Sequence, residues 1–159
     1  MQFAEYDSPI GKLLLQSDGE HLMGLWFGKV SAPVQAEGAV IEKAKRWLDG
    51  YFRGETAASD IPLLPQGTAF QKQVWQILLS IPYGQTRTYG DIAREMAACR
   101  GKETMSAQAV GQAVGANPIG ILIPCHRVVG AKGQLTGYAW GIEKKQWLLQ
   151  HEKENRHDD

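Results

Sequence analysis

The chain has 159 residues and 17.6 kDa, with 17 Lys and Arg against 17 Asp and Glu and so no formal net charge at pH 7. That length fits one domain or two small ones sharing a core, and 43% hydrophobic against 21% charged residues excludes disordered, collagen-like and coiled-coil chains. No apolar stretch approaches the ~18 residues that span a bilayer, and the opening MQFAEYDSPIGK lacks a secretory pattern, so a cytoplasmic protein without membrane contact is expected.

The first half alternates short β-like runs with turns. Phe3 to Tyr6, Lys12 to Gln16 and Met23 to Phe27 are separated by Ser8-Pro9 and Ser17-Asp18-Gly19-Glu20, which predicts a small antiparallel sheet. From about Val34 to Tyr51, Val40, Ala44, Trp47, Leu48 and Tyr51 recur at helical spacing. Ile61-Pro62-Leu63-Leu64-Pro65 breaks regular structure, and a domain boundary falls near residues 55 to 67.

The second half is mainly helical. Thr68 caps a helix whose stripe is Phe70, Val74, Ile77, Leu78 and Ile81, and Pro82 with Gly84 ends it. Thr88 and Asp91 form a capping box for a short helix to about Ala97, and Ser106 starts another to about Ala116. Two short helices in succession suggest a helix-turn-helix, although the connection from Ala98 to Met105 is longer than the usual three or four residues. Ile119 to Pro124 reads as a buried extended segment that delivers Cys125, and a last helix from about Ile142 to Glu152 turns Trp147, Leu148 and Leu149 inward. The class expected is α/β (α+β): residues 1–67 form a small antiparallel sheet with a helix and a linker. Residues 68–159 follow as a mainly helical domain carrying the helix-turn-helix and a Pro-Cys-His-Arg segment.

Cys99 and Cys125 are too few for a disulfide framework and are expected as free thiols. In Pro124-Cys125-His126-Arg127 an imidazole or a cation beside the thiol can lower its pKa from ~8.5 toward neutrality. A buried structural Cys beside a satisfied His fits that tetrapeptide equally well. The stiff run before Cys125 and the carboxylate of Glu152 on the closing helix add a support and an orienting acid, completing a nucleophile, base and acid set. Cys99 is a bystander, and the lone His21 of the first half makes no ligand set, so no metal is expected.

The string from Asn117-Pro118 through Ile121-Leu122-Ile123-Pro124-Cys125-His126-Arg127-Val128-Val129 resembles the acceptor signature of the O6-alkylguanine-DNA alkyltransferases, the methylated-DNA–protein-cysteine methyltransferases. The likeness extends through Phe70 to Trp75, Ile81 to Thr86, Tyr89 to Ala93, Ala109-Val110-Gly111, Gly137-Tyr138-Ala139 and Lys145 to Glu152, covering about Thr68 to Glu152. It implies DNA repair by irreversible, stoichiometric transfer of an alkyl group from O6-alkylguanine in duplex DNA to Cys125. O4-methylthymine is left open as a second substrate.

By the same resemblance His126 acts through a water as the base and Glu152 fixes its tautomer. Asn117 braces the turn that bears the cysteine, and the Tyr89 phenol gives a proton to the departing guanine. Tyr138, Ala139 and the backbone near Val128 form the pocket wall, with Trp140 at its rim. Gln108, Ala109 and Arg127 fall among the DNA contacts, Gln108 standing where the family usually has the arginine that fills the gap left by the flipped base. Double-stranded DNA is the implied partner, through the minor groove, with the protein a monomer and no cofactor. Two rivals remain: an alkyltransferase-like protein that binds lesions without chemistry, in which the cysteine is replaced, and a cysteine hydrolase using Cys125, His126 and Glu152.

A zero net charge argues against a protein held on DNA by a strong overall positive field. Divided along the chain, however, residues 1–86 carry 7 basic and 9 acidic side chains, residues 87–147 carry 8 and 4, and residues 148–159 carry 2 and 4. The positive excess sits on the segment with the expected helix-turn-helix and cysteine, as a DNA contact requires.

Overall fold

The computed structural model describes residues 1–28, 37–56, 58–135, 138 and 140–156. Strands β1 (Gln2–Ser8), β2 (Gly11–Ser17) and β3 (Leu22–Phe27) form an antiparallel meander in the order β1-β2-β3. Helix α1 (Ala39–Phe52) packs on this sheet and buries Val40, Ala44, Leu48 and Tyr51 of the predicted stripe together with Ile41, while Trp47 is only partly buried; Val34 and the helix start expected there lie outside the described residues. The meander follows from the two polar turns, and apolar alternation buries Ala4, Leu13, Leu15, Leu22 and Leu25 against the core.

The outer edge of β3 would leave backbone groups unpaired, and two later segments cover it. Leu22 exchanges hydrogen bonds with Pro62 and Leu64, at 2.8 and 2.9 Å. Leu25 N–H donates to Pro118 at 2.9 Å and its carbonyl accepts from Gly120 N–H at 2.8 Å. The amino-terminal sheet therefore grips the chain a few residues before Cys125.

Helix α2 (Ala69–Leu78) and helix α3 (Tyr89–Cys99) both begin with capping boxes, Thr68 with Gln71 and Thr88 with Asp91. Ser106 caps α4 (Ala107–Gly115). The helices α3 and α4 pack on each other across the connection 100–106, and both pack on α2, where the buried indole of Trp75 donates to the carbonyl of Ala113 at 2.8 Å. The two-residue strand β4 (Arg87–Thr88) pairs in parallel with β5 (Val128–Val129), which sets the start of α3 beside the exit of the cysteine-bearing turn. Helix α5 (Ile142–Asn155) closes the structure. Among the described residues, no helix is long and apolar enough to cross a membrane.

The run Ile119 to Pro124 is buried as expected but is not extended. Ile123 N–H donates back to Ile119 at 3.0 Å and Leu122 N–H to Gly120 at 2.7 Å, so the segment closes on itself. Its physical reason is backbone satisfaction: the β3 edge meets this run at Leu25, its other edge residue Leu22 being taken by Pro62 and Leu64, and the remaining buried amides find partners within the turn. The turn forces Ile121 to φ +66°, a conformation β-branched residues rarely adopt and one that costs of order 1–3 kcal/mol.

Candidate active site

Asn117 holds this turn at both ends. Its Nδ2 donates to the Ile123 carbonyl at 2.8 Å and its Oδ1 accepts from Ile119 N–H at 3.0 Å. Cys125 then opens a single 3-10 turn, Cys125–Arg127, so the thiol and the imidazole of His126 leave the backbone in different directions from one rigid corner.

His126 points inward to α5. Its Nε2 lies 2.6 Å from Glu152 Oε2, with both side chains at most 1% exposed. Glu152 Oε2 also accepts from Tyr51 Oη at 2.7 Å and Arg127 Nη2 at 3.0 Å, while Oε1 accepts from Arg127 Nε at 2.8 Å and Gly84 N–H at 3.2 Å. Gly84 offers that N–H from φ +77°, which favours glycine. Burial works against the Glu152 carboxylate, but the contacts with His126 and Arg127 overcome it and hold the group far below the usual carboxylate range. Burial also pushes His126 down, so the ring is neutral and Nε2 carries the proton that Glu152 accepts. Among the described residues, His126 Nδ1 has no hydrogen-bond partner.

The thiol of Cys125 is buried, and burial raises its pKa. The polar side chains of Asn117 and Tyr138 and the positive charge of Lys145 act in the opposite direction. Lys145 is fully buried; burial depresses its pKa and the proximity of Cys125 restores part of it. Its ammonium lies 5.8 Å from the centroid of the Tyr89 ring, which also rests against Gly111 of α4. Tyr138 is partly buried beside the sulfur and stands edge-on to Trp140, with centroids 5.8 Å apart, and the Trp140 indole lies so close over Gly120 that a Cβ there would collide with it.

The structure thus brings together Asn117, Cys125, His126, Tyr138 and Glu152, with Tyr89 beside Lys145. Val128 is buried and its backbone belongs to the β4–β5 pair, and Ala139 lies outside the described residues. Gln108 and Ala109 sit apart in the first turn of α4, where Gln108 is exposed and Ala109 N–H donates to Ser106 Oγ at 3.1 Å. Arg127 is turned inward: besides Glu152, it donates through Nη1 to the Ile81 carbonyl at 2.7 Å, which leaves its side chain 11% exposed. The bidentate carboxylate is the physical reason it faces the core.

Two residues of the site were not singled out in the sequence. Lys145 lies seven residues before Glu152, two helical turns, and that spacing on one face was a usable signal. Tyr51 approaches from 101 residues away and has no local signature.

A buried thiol on a braced corner, next to a histidine whose far nitrogen is bound by a buried carboxylate, defines a protein that uses cysteine as a nucleophile. Models of the 6-O-methylguanine DNA methyltransferase family match the chain twice, its ribonuclease-like domain over residues 1–65 and its DNA binding domain over residues 69–154, and the chain belongs to this family. The chain is 44% identical to the methylated-DNA–protein-cysteine methyltransferase of Methanosarcina acetivorans, over 96% of this chain and 98% of that one. It is also 44% identical to that of Haemophilus influenzae, over 96% and 87%. The crystal structure of Mycobacterium tuberculosis OGT in complex with DNA superposes with a TM-score of 0.85 at 42% identity, covering 98% of this chain and 94% of that one.

Proposed function

We propose that the protein repairs DNA by moving the alkyl group of an O6-alkylguanine in duplex DNA onto Cys125, irreversibly and once per molecule. The observation that carries this reading is the surrounding of one thiol: Asn117, Tyr138 and Lys145 act on the Cys125 sulfur, and the adjacent His126 is anchored through Nε2 with Nδ1 left over. The names of the relatives and the DNA complex of the M. tuberculosis protein support DNA as the partner.

Burial keeps the thiol protonated at rest. Its proton passes through a water to His126 Nδ1, and Glu152, which stays ionised, stabilises the imidazolium. Lys145 and Tyr138 stabilise the thiolate. Sulfur attacks the alkyl carbon, the carbon–oxygen bond breaks with its electron pair moving to the guanine, and the Tyr89 phenol supplies a proton to the departing base. The thioether has no leaving route, so the protein is consumed. The displacement needs no metal or cofactor.

The target oxygen lies within the base stack, so the nucleotide must be flipped at a cost of a few kcal/mol. Residues 68–159 serve as the DNA-binding and acceptor domain, with α3 and α4 as the helix-turn-helix at the minor groove and Gln108 entering the stack. Residues 1–67 form the smaller domain. Arg127 is assigned to holding Glu152 rather than to DNA. The protein acts as a cytoplasmic monomer.

Duplex DNA carrying a labelled methyl group on guanine O6 tests the reading. One label per protein on Cys125, abolished by Cys125→Ala, is the expected result. Repeated release of label would indicate a hydrolase, and tight lesion binding without transfer would indicate a recognition protein; either overturns the proposal.

A further inference from the structure

Among the described residues, four of the five hydrogen bonds on the Glu152 carboxylate come from residues 84 to 127, and the fifth comes from the amino-terminal half, from Tyr51 Oη in the last turn of α1. Tyr51 is 2% exposed and locked in place. Its carbonyl lies 2.6 Å from His151 Nε2, and its ring stands edge-on to Tyr83, 6.1 Å between centroids. We propose that Tyr51 is a positioning residue of the acceptor site: its hydroxyl holds the Glu152 carboxylate in the orientation that anchors His126, so that α1 sets the alignment and basicity of the proton acceptor. The inference rests on the alkyl-acceptor reading above.

The geometry leaves the hydroxyl one role. Burial and then the adjacent carboxylate push the Tyr51 phenol well above its usual range, so it serves as a donor. It donates to Oε2, the oxygen that also takes His126 Nε2, and so draws charge from the atom that would stabilise the imidazolium. Without that donor Oε2 attracts the imidazolium more strongly, and the carboxylate loses one constraint on a soft terminal torsion. The charged and titratable groups facing His126 are Glu152 and Lys145 from α5, Arg127 and Cys125 from its own turn, and Tyr51 and Tyr83 around Glu152. Replacing Tyr51 by Phe leaves all the others in place and preserves the ring packing.

The test compares single-turnover methyl transfer by full-length wild type and Tyr51→Phe from pH 5.5 to 9. The expected result is a loss of roughly tenfold at pH 7.5, as is usual when a residue orienting a functional group is removed. The acid limb of the profile should move upward by about half a pH unit. Lesion-duplex affinity, measured in a Cys125→Ser background, should stay constant. A 3,5-difluorotyrosine at position 51, a stronger donor of the same shape, should move the acid limb downward. Ile41→Val, which loosens α1 away from Glu152, should leave the limb in place. An unmoved acid limb in folded Tyr51→Phe or in the fluorinated protein overturns the inference. Failure of the wild type to place methyl on Cys125 overturns the alkyl-acceptor reading instead.

Discussion

Lys145 and Glu152 stand two turns apart on the buried face of α5 and act on adjacent residues, Lys145 on the Cys125 sulfur and Glu152 on the His126 ring. One helix therefore carries the cation that favours the thiolate and the anion that favours the imidazolium. Leu148 between them is the apolar residue that seats this face in the core.

Replacing Lys145 by Met removes the charge while keeping most of the volume. The Cys125 thiol, already raised by burial, should then titrate higher still, because a positive charge that favours its thiolate is gone. Single-turnover transfer at pH 7 should fall roughly tenfold and recover as the pH rises. Thermal stability should hold or increase, since a buried ammonium is costly to desolvate. A rate profile unchanged by Lys145→Met would show that its charge does not act on the sulfur.

Acid should destabilise the fold in two stages. The pKa of His126 is depressed in the folded state by burial, so between about pH 6.5 and its lower folded value the unfolded chain binds a proton that the folded chain refuses. Its contribution to stability is therefore complete above about pH 6.5 and declines as the pH falls, by up to about 1.4 kcal/mol per pH unit. The depressed carboxyl of Glu152 adds a second decline below about pH 4.3. Urea titrations at pH 7.5, 6.5 and 5.5 should show the first decline, and His126→Phe should flatten it. A wild-type stability constant across that range would mean that folding does not shift the His126 pKa, and one that rose as the pH fell would mean that the folded protein holds an imidazolium.

Local order was legible wherever the signal is local. The capping residues Thr68, Thr88 and Ser106, the three strands and the stripe of α1 all follow from spacing and turn chemistry, because each depends on neighbours within a few residues. The cysteine corner and its partners Asn117, His126 and Glu152 were readable through a long motif. What escaped depends on distant pairing. Tyr51 looks like one more apolar position of an amphipathic helix until α5 is laid against it, and the inward face of α5 holds Lys145 and Glu152 where periodicity expects hydrophobes. The folding back of Ile119 to Pro124 follows from the short length of edge that β3 offers, which no pattern in the run itself discloses.

Trp140 covers Gly120 and stands edge-on to Tyr138, so its indole occupies space at the rim of the cysteine corner. Trp140→Gly should open that rim to bulky O6-substituents. Inactivation by free O6-benzylguanine should accelerate by roughly tenfold or more, the range that pocket fit controls, while transfer of methyl changes little. Equal inactivation rates for the two proteins would leave the indole a packing role alone.

The basic excess of residues 87–147 is smaller in the folded protein than in the sequence. Arg87 is paired with Glu95 at 2.7 Å, Arg94 with Asp91, Arg127 with Glu152, and Lys145 is buried. Arg100, Lys102, Lys132 and Lys144 are left without a carboxylate partner among the described residues, and Arg100 already lies over the Phe70 ring and Lys144 over that of Phe27. Each neutralised phosphate contributes about −0.9 to the slope of log affinity against log salt concentration. Binding to undamaged duplex should therefore show a slope between about −2 and −4, and Gln108→Arg should steepen it by about one. A wild-type slope near −8 would require phosphate contacts that the paired arginines cannot supply, and would place the DNA on a different face.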